Sequence, residues 1–260
     1  MPEGNLSDTR DAHVVVENVN KTYELRNDVV ESIRQVSFEL ERGKFLSIVG
    51  PSGCGKSTLL MMMAGLLRIS SGSIRIDNKI VDGPRRQTSL MLQTPTLFPW
   101  RSVLSNVAFP MEVFKSDRAA YEGEALKLLA MTGLAEFKDR LPEQLSGGMA
   151  QRVSLCRALI TNPELLLMDE PFSALDALTR DDMSLELQRI QERFRKTVIF
   201  ITHSIREAVF LSDRVIVFSP RPATIALDLS IDLPRPRTLD VQETPEFNRY
   251  CGVIRAGLGR

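Results

Sequence analysis

Short hydrophobic runs along the chain predict the strands of a buried sheet. Three of them, FLSIV at 45–49, LLLM at 165–168 and TVIFI at 197–201, are continuous, as in strands that are covered on both faces. Alternating apolar and polar residues at 36–41 predict instead a strand with one exposed face. The same reasoning predicts further strands at 14–19, 74–76, 90–92 and 215–218.

Helical spacing dominates the middle of the chain. Apolar residues recur at i, i+3 and i+4 over 125–129, which predicts one buried helix face, and Gly133 predicts the end of that helix. A second helix is predicted at 151–160 because Asn162-Pro163 follows it. The segment from about 94 to 160 is therefore expected to be mostly helical. Buried strands that alternate with helices elsewhere in the chain predict an α/β fold with a mainly parallel sheet.

Composition narrows the class of protein. The chain has 260 residues, 43% of them hydrophobic, which is enough to build a core and excludes disorder as the dominant state. Its 33 basic and 33 acidic residues balance, whereas a general nucleic-acid binder needs a basic surplus. Three widely spaced cysteines do not form a disulfide framework and favour a reducing compartment. No apolar run reaches the roughly 18–20 residues that span a bilayer.

Polar and proline-rich segments mark the ends of the domain. Residues 1–12 are polar and predict a mobile N-terminal tail. Prolines become frequent from Pro220 onward, which predicts a less regular C-terminal extension at 221–260. The domain itself is expected at 13–220.

The most specific motif is GPSGCGKST at 50–58, which matches the phosphate-binding pattern G-x-x-x-x-G-K-[ST] between a predicted strand and an apolar helix. Backbone N–H groups and the helix N-terminus bind phosphates in such loops, while Lys56 reaches the β- and γ-phosphates and Ser57 provides a hydroxyl to Mg²⁺. Cys54 lies beside that lysine at the helix N-terminus, which predicts a lowered thiol pKa. The predicted nucleotide-binding residues are Gly50, Pro51, Ser52, Gly53, Cys54, Gly55, Lys56, Ser57 and Thr58.

Two acidic residues follow the buried run LLLM. Asp169 and Glu170 are predicted at the carboxyl edge of the sheet, where open α/β folds bind ligands. There Asp169 can hold Mg²⁺, directly or through water, and Glu170 can accept a proton from an attacking water. The alternative is a pair of solvated acids in a turn, which the presence of the phosphate-binding loop disfavours.

The segment LSGGMAQR at 145–152 has two interpretations. Ser-Gly-Gly before a helix is an anion-binding arrangement of backbone N–H groups. It is equally an ordinary helix start in which Ser146 provides the N-cap. The residues alone do not decide between these.

Taken in order along the chain, these motifs resemble the ATP-binding subunits of ABC transporters. The phosphate-binding loop is followed by LSGGMAQR, by a strand that ends in Asp169-Glu170-Pro171, by SALD at 173–176, and by a histidine after a buried strand. The resemblance extends from about His13 to Phe218. It implies a P-loop NTPase ABC fold, with a RecA-like core, an antiparallel β subdomain and a helical subdomain at about 94–160. It also implies ATP and Mg²⁺ as ligands and ATP hydrolysis as the reaction.

The resemblance implies that each ATP site is completed by a second subunit. Ser146, Gly147 and Gly148 would contact the γ-phosphate of ATP held on the opposite subunit of a head-to-tail dimer. Asp176 would contact the opposite subunit as well. A dimer of identical chains is the expected form.

Three further residues gain a function only through the resemblance. Gln93 would sense Mg²⁺ and water and face the membrane subunits, and His203 would contact the γ-phosphate and the attacking water. Tyr23 would stack on adenine. The alternative for Gln93 is a plain amide at a strand end, for His203 a structural histidine, and for Tyr23 a half-buried core residue.

Narrower features resemble importers for nitrate, taurine, aliphatic sulfonates and pyrimidine precursors. They are LFPWRSVLSNVAFP at 97–110, EPFSALDALTR at 170–180 and SPRPATI at 219–225. The resemblance implies two transmembrane permease subunits, an extracytoplasmic solute-binding protein, no nucleic acid, and a peripheral place on the cytoplasmic face of the inner membrane. Because aromatic residues anchor interfaces, we expect Leu97–Trp100 to help form the groove for a permease helix, with core packing as the alternative.

Three other classes of protein also contain a phosphate-binding loop. A DNA-repair or chromosome-organising ABC ATPase usually has a long coiled coil or a DNA-reading insert, and a translation-associated ABC protein has two cassettes in one chain. A P-loop kinase has no need of the LSGG segment. This chain contains one set of motifs, including LSGG, and neither kind of insert.

Overall fold

The computed structural model describes residues 12–25 and 28–259. The tail predicted at 1–12 lies outside the described residues, apart from Ala12, which begins the first strand. The strands are β1 (Ala12–Leu25), β2 (Asp28–Glu41), β3 (Phe45–Val49), β4 (Ser71–Ile76), β5 (Lys79–Ile80), β6 (Thr88–Met91), β7 (Leu165–Asp169), β8 (Thr197–Ile201), β9 (Arg214–Phe218) and β10 (Ile225–Ser230). The α-helices are α1 (Lys56–Met63), α2 (Val103–Val113), α3 (Arg118–Met131), α4 (Gly147–Leu159), α5 (Ala177–Phe194), α6 (Ile205–Leu211) and α7 (Pro245–Gly257).

A six-stranded sheet forms the centre of the fold, in the order β10-β9-β3-β8-β7-β6. The five strands from β9 to β6 are parallel, and β10 pairs with β9 antiparallel at one edge. Every residue of β3 and β8 is buried, as their continuous apolar runs predicted. The mainly parallel α/β sheet is confirmed.

A second sheet is antiparallel, with the order β2-β1-β4-β5. Its long strands β1 and β2 exceed the predicted segments because bulges interrupt their register, so that no single alternation extends along either strand. Val36, Phe38 and Leu40 point into the core, as their spacing predicted. This sheet is the expected antiparallel β subdomain.

The two faces of the main sheet pack against different layers. Alternate residues such as Leu46 and Ile48 of β3 contact α1 and the antiparallel sheet. Their neighbours Phe45 and Val49 contact the layer formed by α4, α5, α6 and α7. Since both faces are covered, the loops at the carboxyl edge of the sheet are the part of the sheet left open to a ligand.

The segment between β6 and β7 contains α2, α3 and α4, together with two short 3-10 helices. In α3, Ala125, Leu128 and Leu129 are buried, and the helix ends at Met131, two residues before Gly133. Gly133 has a φ of +71°, the left-handed conformation that commonly follows a helix end.

The C-terminal part is attached to the core by buried polar contacts. The boundary predicted after residue 220 lies between β9 and β10, which pair in one sheet. Beyond them, the buried guanidinium of Arg237 donates hydrogen bonds to the carbonyls of Val209, Phe210, Ser212 and Leu233, at 2.8–3.1 Å. These bonds satisfy carbonyls at the end of α6 and hold the segment that leads to α7. Among the described helices, none has the length and apolarity needed to cross a membrane.

Candidate nucleotide-binding site

The loop 50–58 connects β3 to α1 at the carboxyl edge of the main sheet. Gly53 has a φ of +71° and Gly55 a φ of +128°, so two turns of the loop favour glycine. A Cβ on Gly55 would also lie 3.0 Å from the carbonyl oxygen of Ser32. Residues of the loop and of the first turn of α1 line one cavity, and backbone N–H groups at such a loop and helix start suit an anion.

Lys56 is the buried cation of this loop. Its Nζ donates hydrogen bonds to the carbonyl oxygens of Gly50 and Pro51, both at 2.9 Å, and the residue is 4% exposed. An ammonium has three N–H groups, so the third can bind a phosphate oxygen without loss of these two bonds.

Asp169 and Ser57 form an oxygen-rich pair next to Lys56. Burial raises the pKa of Asp169, whereas the hydrogen bond from Ser57 and the charges of Lys56 and His203 lower it. One carboxylate oxygen, Oδ1, is buried and has no hydrogen-bond partner among the described residues. A hard cation such as Mg²⁺ prefers oxygen ligands and would satisfy this orphaned atom. The residues present therefore fit the metal that the sequence predicted.

Glu170 is held by side chains from two other strand ends. Its Oε1 lies 2.5 Å from Nε2 of His203, and its Oε2 accepts a 3.5 Å hydrogen bond from Nε2 of Gln93. The same amide of Gln93 donates to Oγ of Ser173 at 3.1 Å. Glu170 itself has a φ of +46°, a strained conformation for a non-glycine residue that commonly marks a functional site.

Most of these groups line one cavity of about 590 Å³, whereas Asp169 does not. The cavity is lined by Ser52, Gly53, Gly55, Lys56, Ser57, Thr58, Gln93, Glu170, Ser173, His203 and Arg221. The structure thus brings together most of the phosphate-binding loop with Gln93, Glu170 and His203, which are distant in sequence. Gly50, Pro51 and Cys54 belong to the same loop but do not line the cavity.

Three residues at this site were missed by sequence reasoning, and one of them is Ser173, which lines the cavity and accepts a hydrogen bond from Gln93. Arg221, in the turn between β9 and β10, lines the cavity and donates from Nε to the carbonyl of Gly53 at 3.2 Å and also from Nη2. Gln151 of α4 donates from its buried amide to the carbonyls of Gln93, at 3.0 Å, and of Pro171. Gln151 is the glutamine of LSGGMAQR and Arg221 is the arginine of SPRPATI, so the motifs contained both residues but gave no geometry for them.

Three predicted groups lie outside this cavity. Tyr23 is on β1, is 36% exposed and has the ammonium of Lys21 4.9 Å from its ring centre. Ser146 accepts a 3.3 Å hydrogen bond from the N–H of Met149, so it is the N-cap of α4. Asp176 is the N-cap of α5. The cap interpretation of Ser146 is correct for the single chain.

The LSGG segment and Asp176 are neighbours on the surface of the chain. Asp176 accepts hydrogen bonds from the N–H of Thr179 at 3.0 Å and from its hydroxyl at 2.7 Å, and these bonds lower the pKa of the carboxyl. A Cβ on Gly148 would lie 2.5 Å from Cγ2 of the same threonine. Thr179 therefore connects the starts of α4 and α5, while Ser146 and Gly147 remain exposed.

The lowered thiol pKa predicted for Cys54 is wrong. Cys54 is 2% exposed, and burial raises its pKa by more than the nearby Lys56 and Arg221 lower it. The sequence placed the thiol near a cation, but it did not show that the side chain points into the core.

A second group of potential metal ligands lies outside the cleft. His13, Asp77 and Glu164 bring their ligand atoms within 4.8 Å of one another. Arg42 forms ion pairs with both carboxylates, and Arg85 lies 3.7 Å from Asp77. Because these guanidinium groups neutralise the acids, we assign the cluster a structural role.

Sequence comparison shows which family of proteins this chain resembles. A family model described as ABC transporter matches residues 33–173, more than half of the chain. A taurine import ATP-binding protein from Rhizobium johnstonii is 43% identical over 234 residues, which cover 88% of this chain and 89% of that protein. A nitrate import ATP-binding protein from Synechocystis sp. is 38% identical over 252 residues, which cover 95% of each chain.

A solved structure shows the same fold. It is a dimeric ATP-binding cassette in a post-hydrolysis state bound to ADP and Pi, and it matches with a TM-score of 0.75 at 31% identity, covering 85% of this chain and 100% of that one. The fold and the cleft together define a P-loop ATPase. The chain belongs to the ABC transporter family, as an ATP-binding subunit that hydrolyses ATP.

Proposed function

We propose that ATP and Mg²⁺ bind in the cavity between the 50–58 loop and Glu170. The observation that carries this proposal is the convergence of Lys56, Glu170 and His203 on one cavity. Lys56 and the backbone N–H groups of the loop bind the phosphates. Ser57, Asp169 and Gln93 are the residues that would hold Mg²⁺, and the metal would supply charge neutralisation for the phosphates.

Hydrolysis in this arrangement depends on the position of a single carboxylate. Glu170 accepts the proton of the water that attacks the γ-phosphate. His203 and Gln93 contact both oxygens of that carboxylate, so they hold it in one orientation. Phosphoryl transfer requires little covalent chemistry from the protein, so positioning and charge stabilisation supply most of the rate enhancement.

We further propose that two copies of the chain close head to tail over two ATP molecules. Ser146 and Gly147 are exposed and lie outside the cavity of their own chain, so they are accessible to a nucleotide held on another molecule. Asp176 borders the same surface through Thr179. A related cassette is dimeric in its ADP- and Pi-bound state, which supports this arrangement.

Replacement of Glu170 by Gln tests the base and the dimer together. Gln keeps the shape of the side chain but cannot accept a proton at neutral pH, so we expect the turnover number to fall at least about 100-fold. ATP should then accumulate in a dimer, which is measured by size-exclusion chromatography with light scattering. Glu243→Gln, on the exposed surface, is the matched control. Undiminished turnover would refute the base, and a strictly monomeric ATP-bound variant would refute the dimer.

The third part of the proposal is coupling to membrane permease subunits. A groove of about 590 Å³ lies between the main sheet and the helical segment, lined by Arg86, Leu92, Phe98, Phe109, Phe114 and Arg157 among others. Trp100 is 73% exposed beside it, with its ring centre 5.5 Å from that of Phe98. This exposure disfavours core packing for Trp100 and favours an aromatic anchor for an apolar helix.

Trp100→Ala tests the groove. Because the side chain is exposed, we expect unchanged thermal stability and unchanged ATPase of the isolated chain, together with loss of ATP-driven uptake by the assembled transporter. The matched control is Ile80→Ala, an exposed apolar side chain (66%) on β5, away from both the groove and the proposed dimer surface. Loss of folding in the Trp100 variant would show that the residue is structural.

The transporter is proposed to import nitrate, a sulfonate, taurine or a related small compound. Relatives named for taurine and nitrate import support this solute class. An extracytoplasmic solute-binding protein and two permease subunits would complete the assembly, with this chain peripheral on the cytoplasmic face of the membrane. Uptake of labelled solutes by the reconstituted complex tests the class.

A further inference from the structure

Two ion pairs line a second cavity, which lies beside the nucleotide cavity on the other side of Glu170. His203 and Glu170 form the first pair, and in the second Nε of Arg180 lies 3.3 Å from Oε1 of Glu207. This second cavity, of about 370 Å³, is lined by both pairs together with Ser173, Thr202 and Ser204. The second pair has no part in the mechanism above.

Glu207 is bonded to both neighbours of His203 in the sequence. Oγ1 of Thr202 donates a 2.6 Å hydrogen bond to Oε2 of Glu207, and the N–H of Glu207 donates to Oγ of Ser204 at 3.2 Å. The N–H of Ser204 donates in turn to Oγ1 of Thr202 at 2.9 Å. The side chain of Glu207 is only 10% exposed, so this network is largely shielded from water. It fixes the backbone on each side of His203.

Arg180 extends the network to the loop that contains Asp176. Its Nη2 donates a 2.8 Å hydrogen bond to the carbonyl oxygen of Leu175, the residue before Asp176. The guanidinium therefore connects the 173–176 loop to the carboxylate that holds the His203 segment. Since the start of α5 also contacts Gly148 through Thr179, the proposed surface for the second subunit is physically connected to His203.

The charge balance of Glu207 depends on this pair. Burial raises the pKa of Glu207, and the nearby charges of Asp181 and Glu170 raise it further, while Thr202 and Arg180 lower it. Without Arg180, the mostly buried carboxylate of Glu207 would lose the cation that stabilises its charge. Protonation of Glu207 would then be favoured, and its hydrogen bonds with Thr202 and Ser204 would rearrange.

We propose that the Arg180–Glu207 pair is a positioning device that holds His203 against Glu170 and transmits the position of the 173–176 loop to that histidine. The inference rests on the roles proposed above for Glu170 and His203. Neither Arg180 nor Glu207 touches the nucleotide cavity, so both act through His203 and not on substrate directly.

The test is steady-state ATPase kinetics of the full chain with Glu207→Gln and with Arg180→Met. Glu207→Gln keeps the shape of the side chain, and Arg180 is 35% exposed, so both variants are expected to fold. We expect kcat to fall about 10- to 100-fold, because misplacement of a catalytic group by about 1 Å has effects of this size. The KM for ATP should stay within about twofold, because the phosphate-binding loop is unchanged.

Arg206→Met is the matched control. Arg206 lies on the same helix as Glu207, next to it in sequence, and pairs with Glu243 at 3.7 Å on the exposed side. It should leave kcat unchanged. Arg180→Lys, which keeps the charge, should recover part of the lost kcat, and the double variant with Arg180→Met and Glu207→Gln should lose little more than either single variant.

The outcomes separate this inference from the proposed function. If His203→Ala and Glu170→Gln both retain full turnover, the proposed roles of those residues fail, and this inference fails with them. If those two variants are inactive while Arg180→Met and Glu207→Gln keep kcat within about twofold of the parent chain, only the positioning role is overturned. A fully additive double variant, or an equal loss of kcat in Arg206→Met, would also overturn it.

Discussion

Gln151→Leu tests whether one buried amide positions Gln93 and Glu170 at the carboxyl edge of the main sheet. The side chain is 2% exposed and donates to the carbonyl that follows β6, on Gln93, and to the carbonyl of Pro171, directly after Glu170. It therefore connects α4, which begins with the LSGG segment, to the two segments that hold Gln93 and Glu170. Leucine has a similar volume but offers no donor.

The size of the effect follows from these contacts. The bond to Pro171 is buried and the bond to Gln93 is partly buried. A buried carbonyl left without its donor costs about 1–3 kcal/mol, and one that water can reach costs less. The substitution also removes Oε1 of Gln151, which is buried without a partner among the described residues, and this returns part of the cost. We therefore expect the free energy of unfolding to fall by about 2–4 kcal/mol, and Tm by about 5–10 °C for a chain of this size.

The assay combines calorimetry with ATPase kinetics. Gln188→Leu is the matched control, because Gln188 is 3% exposed and also forms two hydrogen bonds with backbone groups, the carbonyl and the N–H of Arg237, away from the cleft. Both variants should lose a similar amount of stability. Only Gln151→Leu should lower kcat, by up to about 100-fold, measured at a temperature where both remain folded.

Two results would refute this reasoning. A Tm within about 1 °C of the parent chain would mean that the two carbonyls find other donors. An equal fall in kcat for Gln151→Leu and Gln188→Leu would mean that general destabilisation, and not the position of Gln93 and Glu170, explains the loss of activity.

Three further predictions follow from single contacts. Asp169→Asn removes the charge that suits Mg²⁺, so the affinity for ATP in the presence of Mg²⁺ should fall to the value measured in EDTA; calorimetric titration with no such fall would contradict the metal assignment. Arg237→Met removes the donor to four carbonyls and should lower the free energy of unfolding in urea by at least about 4 kcal/mol, whereas the exposed Arg255→Met should not. The raised pKa of Cys54 means that less thiolate is present at neutral pH, so alkylation of the folded chain at pH 7 should be slow and should accelerate as the solution is made alkaline. Rapid labelling of Cys54 at pH 7, detected by mass spectrometry, would show that the buried arrangement is wrong.

Local patterns in the sequence were sufficient to predict the buried strands, the helix end near Gly133 and a phosphate-binding site. The continuous runs at 45–49 and 197–201 predicted buried strands because a strand covered on both faces has no polar alternation. The loop 50–58 predicted phosphate binding because glycine conformations, backbone N–H groups and a lysine within nine residues determine that chemistry locally. The helix end near Gly133 has the same local origin.

Some elements could not be predicted, for reasons that are also physical. The first half of β2 has no clean alternation, because bulges interrupt its register. β10 does alternate, with Ile225, Leu227 and Leu229 half-buried, but it lies in the proline-rich segment that predicted irregular structure. The burial of Cys54 depends on what packs over the loop, and the sequence near it shows only the adjacent lysine. The exposure of Trp100 likewise depends on which face of its segment the helices cover.

The sequence by itself determined the parallel strands of the main sheet, the phosphate-binding loop and the family to which the chain belongs, because each is encoded in neighbouring residues or in the order of motifs. Only the tertiary structure decided which distant groups meet. The order of the parallel strands brings Gln93 and His203 to Glu170, and the turn after β9 brings Arg221 to Gly53. These contacts join residues more than 30 positions apart, and their distances follow from sheet order and side-chain direction, which no local pattern contains.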